Sequence, residues 1–447
     1  MAASFLVEPE RKVEVLGEYD VVVVGGGPAG MTAALAAGRA GKSVLLIERY
    51  GFLGGAGTAA GLSTFCGLHA NVGGEHRQVV NGLCDDILDR LQFMNGLNPP
   101  HLSVAQRIQA QAYDISAYKI AGDQLMLEAN VTLLYHAFAV GVTKKSDDEI
   151  ESVIVETKSG RRAVVGNMFI DCSGDGDLAA WMNCPFEVGD GAGNMLYPTT
   201  MFRINSVDSE KAGRAWEILP KLMDEAEQRG VRFPRKKPIL RPQRDPIEWR
   251  ANMTQVSNKD GTAVSGIDAW QLTSGEIEGR KQCWDFFKFI QENLPGFEKS
   301  YIVEIAPQLG IRETRRILSR HMLSKEEILG CVDFEDTIGV NGWPVEAHVS
   351  GDVIFLWQEK ERGFNQLPYR MLLPNRVSNL LSAGRCAGMT HEGQSSARVT
   401  GSCFVMGQAA GTAAAMALSA NMSPGEINIS ALQERLEANG VYLGRSW

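Results

Sequence analysis

The stretch from Asp20 to Glu48, D-VVVV-GGGPAG-MTAALAAGRAGKS-VLLIE, constrains this chain more than any other. Val21 to Val24 are four β-branched residues in a row, the pattern of a parallel strand buried on both faces. A glycine turn, an alanine-rich helix and a second apolar strand follow. Gly25, Gly27 and Gly30 stand in G-x-G-x-x-G spacing. The first permits the tight turn, the second lets a pyrophosphate approach the backbone, and the third lets the helix lie close on the strand. Pro28 and Ala29 open the helix, whose N-terminus carries partial positive charge. Glu48 closes the second strand, where an acidic side chain accepts hydrogen bonds from ribose hydroxyls. A glycine turn used for packing alone does not explain why strand, helix and acid coincide, so dinucleotide binding is expected.

Glu48 is followed by Arg49 and then by Gly54-Gly55-Ala56-Gly57-Thr58. The run V-V-G-G-G-P-A-G, the E-R pair and G-G-x-x-T together resemble the FAD-dependent oxidoreductases of the glutathione reductase-like superfamily. Two further segments carry the resemblance. Phe169 to Ala179, F-I-D-C-S-G-D-G-D-L-A, is similar to the family's strand and turn ending in D-A-T-G-D-G-D, with Cys172 and Ser173 in place of alanine and threonine. Leu380 to Arg385, Ser396 to Thr400 and Met406 to Gly411 are similar to its closing flavin-binding strand, loop and helix. The resemblance implies FAD as cofactor, held by Gly25, Gly27, Pro28, Ala29, Gly30, Glu48, Arg49, Gly54, Gly55, Thr58, Ser173, Gly174, Gly384, Arg385, Arg398, Val399 and Thr400. It also implies that the helix opening near Thr400 points its positive end at the pyrimidine side of the flavin, favouring the anionic reduced ring.

The spacing predicts helices over Asn81 to Leu91, with Leu83, Ile87, Leu88 and Leu91 on one face, and over Asp114 to Ala129. Val131–Leu134, Phe138–Val142, Ser152–Thr157 and Arg161–Val165 read as a small antiparallel meander before a strand at Met168–Asp171. Beyond Pro185 glycine turns thin out and aromatics increase. A helix is expected after Thr273, capped by Thr273 with Glu276 and burying Trp284, Phe287 and Ile290. The expected fold is α/β: a Rossmann-like FAD-binding domain with a parallel sheet and small meander, discontinuous over 1–184 and 368–447, plus an inserted α+β substrate domain over 185–367. Such a division suits 447 residues.

Candidate chemistry comes from few residues. Arg312, Arg315, Arg316 and Arg320 recur three or four apart, so a helix would gather most of them on one side to grip a carboxylate or phosphate; nearby acids offer a neutralised surface instead. His391 lies in a loop that the resemblance puts beside the flavin, where it could take a proton or simply hold the loop. His348, in W-P-V-E-A-H-V, is a second candidate base or a satisfied core histidine. Cys66 follows the flavin loop and reads as packing, because no cysteine is spaced as a redox partner. The basic run Arg235, Lys236, Lys237, Arg241 and Arg244 offers a grip for a polyanion, but its prolines and surface charge favour a solvated loop, which is the expectation.

Function is therefore expected to be hydride transfer between a small, organic, anionic or neutral substrate and flavin N5, by a dehydrogenase or oxidase. One dinucleotide fingerprint is present, so no dedicated NAD(P)H domain is expected. An NAD(P)H-dependent reductase or monooxygenase, a tRNA-modifying flavoprotein and a non-catalytic flavin-binding protein are the alternatives. The net charge of −9 disfavours nucleic acid. Eight cysteines without C-x-x-C or zinc-ligand spacing, and no secretory leader in the first twenty residues, point to a reduced cytoplasmic compartment and no metal. The uncharged runs Val21–Gly38 and Val399–Gly425 are rich in small residues rather than Leu, Ile and Phe, so neither is expected to span a membrane. The oligomeric state is open, a homodimer included.

Overall fold

The computed structural model describes residues 6–104 and 106–445. The strand, helix, strand unit at the start is β1 (Glu14–Val24), α1 (Pro28–Arg39) and β2 (Val44–Ile47). Val21 to Val24 and all of β2 are buried, as an apolar run between two layers demands. Next, α2 (Leu83–Phe93) buries Leu83, Ile87, Leu88 and Leu91. Asp114 caps α3 (Ile115–Glu128), its side chain accepting from the amide of Ala117. Both helices lie where their spacing placed them.

Four further strands complete most of the main sheet: β3 (Val131–Leu134), β4 (Phe138–Ser146), β5 (Glu149–Thr157) and β6 (Gly160–Asp171). The order is β3-β2-β1-β6-β5-β4. β3, β2, β1 and β6 run parallel. The first half of β6 pairs antiparallel with β5, while Phe169 to Asp171 pairs in parallel with Leu380 to Ser382, a strand from the far end of the chain. Two sequence expectations change. Val131–Leu134 belongs to the parallel part, its apolar run lying against Val44–Ile47, and not to the meander. Arg161–Val165 and Met168–Asp171 form one strand, because Gly166 continues the pairing by facing Tyr19 of β1.

A second sheet stands apart, built from β7 (Phe202–Asn205), β8 (Ile239–Pro242), β9 (Trp249–Asn252) and β10 (Tyr301–Ile305), in the order β8-β9-β7-β10. One face packs through Phe202, Ile204, Leu240 and Trp249 onto α4 (Ala215–Gln228) and α5 (Ala269–Asn293). The expected capping box at Thr273 and Glu276 is not used. Asp268 caps α5 by accepting from the amide of Gln271, and Thr273 Oγ1 donates to the carbonyl of Ala269 inside the helix. Phe287 and Ile290 are buried, but Trp284 is 52% exposed, so the stripe is core in part. The basic run is a solvated loop only in part: Lys236, Lys237 and Arg244 are exposed, but Arg235 is buried and donates to Asn252 Oδ1 at 3.0 Å, and Arg241 sits in β8.

The chain then passes through β11 (Val345–Val349), rejoins the main sheet at Leu380–Ser382, and continues into α6 (His391–Ala397), α7 (Thr400–Ala420) and a last helix at Ile429–Ala438. Leu323, Ile338, Val340, Val345 and Phe364 share one core with α1 and α7. Small residues bring α7 very close to α1. A Cβ at Gly407 would fall on the carbonyl of Ala29, and one at Gly411 on that of Ala33. Among the described residues α7 alone is long and apolar enough to cross a membrane, and 78% of its most apolar window is buried inside the protein.

Candidate active site

The carboxyl ends of the parallel strands open into a large cavity, where an α/β sheet places its ligands. Its floor is the glycine turn. Gly25 has φ +99°, and a Cβ there would strike the backbone of Cys172, while a Cβ on Gly30 would strike the carbonyl of Gly25. Those two glycines are required by the fold itself. Gly27 differs: its nearest neighbour to an added Cβ is the Cα of Gly55, 3.8 Å away, and it faces the cavity. Space is therefore kept above Gly27 that no protein atom fills. Directly behind it, α1 begins without a side-chain cap and without an acid in its first turn, leaving amide donors for an anion.

Glu48 closes one side of this turn. Its Oε2 accepts from the amide of Gly26 at 2.7 Å and its Oε1 from that of Tyr50 at 3.0 Å. Burial pushes its carboxyl above the ordinary range, against the pull of those two amides. Gly54, with φ +104°, donates to the carbonyl of Gly26, and Thr58 Oγ1 donates to that of Leu53, so these residues shape the loop from behind. On the opposite side, Ser173 Oγ donates to Asp171 at 2.6 Å, and Arg385 reaches Gly174 O at 2.8 Å and Asp175 at 2.7 Å. A dinucleotide fits this donor and acceptor set.

Beyond the glycine turn the cavity runs on toward the second sheet. α7 opens there at Thr400, again without a side-chain cap. Beside it stand Arg398, Arg312, Trp343, Glu346 and His348. Glu346 and His348 are two apart in β11 and share a face. Glu346 Oε2 accepts from Trp343 Nε1 at 2.9 Å, and its Oε1 lies 3.1 Å from His348 Nε2. Burial opposes ionisation of Glu346, but His348 and Arg398 outweigh it and hold the carboxyl down at about 2. Burial and then Arg312 push His348 down to about 3, so the imidazole is neutral at pH 7. Facing an ionised carboxylate, Nε2 carries the proton and Nδ1 keeps its lone pair.

Neither arginine here forms an ion pair among the described residues, and Glu346 acts on both only at a distance. Arg312, 8% exposed, donates to the carbonyl of Tyr197, and its charge is disfavoured by burial and by Arg398. Arg398 has Nε and Nη2 buried without a hydrogen-bond partner. Leaving donors of a charged group unmet inside a protein is costly, and an anionic ligand removes that cost.

The expected site residues divide as follows. Gly25, Gly27, Pro28, Ala29, Glu48, Arg49, Gly55, Ser173, Gly174, Arg312, His348, Gly384, Arg385, Arg398, Val399 and Thr400 line the cavity, as does Cys66. Gly30, Gly54 and Thr58 support it from outside. His391 does not line it: it begins α6, and its Nδ1 lies 2.9 Å from Glu313, which also accepts from the amides of Gly189 and Leu196 and pairs with Arg316. The expected arginine helix is absent. Residues 311–315 are irregular, because each arginine is drawn to a different partner: Arg315 to Asp177, Arg316 to Glu313, and Arg320 to the carbonyl of Gly425. Arg312 alone of the four reaches the cavity. Burial pushes the Cys66 thiol up to about 12, so it carries no thiolate.

Sequence reasoning missed Glu346, Arg250 and His101 and put Arg241 in a solvated loop, whereas all four are in the cavity wall. The alternation in V-E-A-H-V was the available signal for Glu346. Arg241 and Arg250 were hidden in a proline-broken segment whose two short strands pair them directly.

Comparison with known proteins finds similarity over a short stretch and over most of the chain. A stretch of 38 residues is 55% identical to the soluble pyridine nucleotide transhydrogenase of Mycobacterium tuberculosis (strain ATCC 25177 / H37Ra), covering 8% of this chain and 8% of that protein. Among solved structures, the p-nitrophenol 4-monooxygenase of Pseudomonas putida DLL-E4 is similar at 12% identity and a TM-score of 0.49, covering 96% of this chain and 90% of that one. A geranylgeranyl bacteriochlorophyll reductase-like protein of Thermoplasma acidophilum is similar at 12% identity and a TM-score of 0.45, covering 96% and 94%. The family model described as FAD dependent oxidoreductase matches residues 20–436. With that match running from Asp20 at the first buried strand to Leu436 in the last helix, the chain belongs to the FAD dependent oxidoreductase family.

Proposed function

We propose that this protein binds FAD and oxidises a small organic anion by hydride transfer to the flavin. Bound FAD supplies a hydride acceptor at N5. The chain's own residues do the rest. Gly27 and the start of α1 receive the pyrophosphate, Glu48 the ribose, and the uncapped end of α7 stabilises negative charge next to it. Arg312 and Arg398 hold the substrate's anionic group, which assigns Arg398 to the substrate side rather than to the cofactor. His348 Nδ1 accepts the proton released as the hydride leaves, with Glu346 fixing the tautomer and stabilising the imidazolium.

The observation that carries this reading is a neutral, carboxylate-held histidine beside two buried arginines that form no ion pair among the described residues. His348 Nδ1 keeps a free lone pair, and an anion set against the adjacent guanidinium groups offsets the charge that holds the imidazole down, raising its affinity for a proton. Rapid anaerobic mixing with small organic acids tests it by following flavin bleaching. His348→Gln should keep full flavin content and slow bleaching by about 10² to 10⁴-fold. Arg312→Gln should raise the acid concentration needed for half-maximal bleaching. Wild-type rates in both variants would overturn the assignment.

A further inference from the structure

The second sheet turns one face to its own helices and the other to the cavity. On the cavity face, one row of directly opposed residues runs Glu304, Arg203, Arg250, Arg241 across β10, β7, β9 and β8. Like charges directly opposed across strands repel. The protein neutralises Arg203, which pairs with Glu248 and with Glu304, the latter at 3.1 Å. It supplies no ion pair to Arg250 or Arg241 among the described residues, and both line the cavity.

Arg250 is 5% exposed and fixed in place: its Nη1 donates to the carbonyl of Leu62 at 2.8 Å and to Thr64 Oγ1. Its Nε is buried without a partner. The edge formed by Nε and Nη2 is the one that grips a carboxylate with two parallel hydrogen bonds. Arg398 leaves the same edge unmet on the flavin side of the cavity. His101 lies in the wall near Arg250 and Arg241, and Arg241 rests against the ring of Trp216 at 5.1 Å while lining the cavity. Cys66 sits in the wall between the two basic centres, within electrostatic reach of Arg250 on one side and of Arg398 and Glu346 on the other.

We infer that the substrate carries two anionic groups, one held by Arg398 and Arg312 beside His348 and the other by Arg250 with Arg241 and His101 in the second sheet. This inference rests on the hydride-transfer reading for the first of those centres. The second centre is then the specificity determinant: it anchors the end of the molecule away from the reacting carbon and fixes the length that fits. A dicarboxylate meets both centres with the same chemistry, and a phosphonate in place of the remote carboxylate is the other anion that a guanidinium edge accepts.

Isothermal titration calorimetry on the FAD-loaded protein tests this without turnover. The probes are succinate and glutarate against butyrate and valerate, with phosphonoacetate to separate carboxylate from phosphonate at the remote centre. At least one dicarboxylate should bind about tenfold or more tightly than the monocarboxylate of equal carbon number, as a charge-assisted bidentate contact implies. Arg250→Gln should remove that preference, weakening dicarboxylates far more than monocarboxylates, whereas Arg312→Gln should weaken both kinds. Because Arg250 also holds Leu62 and Thr64, Arg241→Gln at the half-buried edge strand provides a second variant, expected to reduce the preference severalfold. Monocarboxylate binding that depends on Arg312 with no gain from a second anionic group would overturn this inference and leave the hydride-transfer reading standing. Absence of binding by every acid would overturn both.

Discussion

Gly27 separates what the chain needs from what its ligand needs. Its φ of −71° is open to any residue, and an added Cβ meets nothing closer than 3.8 Å. Gly27→Val should therefore fold with a thermal midpoint near that of the cofactor-free wild type and purify without flavin, as read by absorbance. A variant with full flavin content would refute the loop assignment. Gly25→Ala should instead lose stability, since φ +99° and the backbone of Cys172 both exclude a side chain. A second residue-scale prediction concerns pH. Burial, aided by neighbouring arginines, pushes His348 down to about 3 and His101 down to about 4, from an ordinary value of about 6.5. The unfolded chain then binds protons that the native chain does not, so stability is fully present above about pH 6.5 and is lost as pH falls toward those values. Melting curves across that window should fall less steeply for His101→Gln than for wild type; equal slopes would contradict the assigned burial. At this scale the glycine roles were legible, because each follows from local geometry. The partner of His391 was not, because Glu313 lies far away in sequence and the contact is made by the fold.

Helices and strands were legible where one periodicity dominated. β1, α1, β2, α2 and α3 follow directly from their apolar spacing, and the meander was misjudged by one strand because a short apolar run fits either parallel or antiparallel pairing. The arginine cluster failed for a different reason: helical spacing is not a helix when every side chain has a stronger partner elsewhere. The small-residue content of α7, ambiguous in sequence between packing and membrane, is explained by its contact with α1. Gly411→Val should destabilise the protein by about 1–3 kcal/mol through overpacking against the carbonyl of Ala33. Urea unfolding followed by circular dichroism measures this; an unchanged midpoint would mean that the two helices can separate at little cost.

At the scale of the molecule, two sheets close on one cavity. The parallel sheet brings a glycine turn and two uncapped helix ends to it, and the second sheet brings a row of arginines. The first contribution was readable as consecutive motifs. The second was not, because its arginines come from β7, β8 and β9, which pair only in the folded chain. The most direct test of the functional account is the absorbance spectrum of the purified protein, followed by anaerobic titration with small mono- and dicarboxylates and, separately, with NADH and NADPH. Flavin bands that bleach with an organic acid and not with either nicotinamide are the expected result. A colourless protein that cannot be reconstituted with FAD, or a flavin reduced by NADH or NADPH alone, would contradict it.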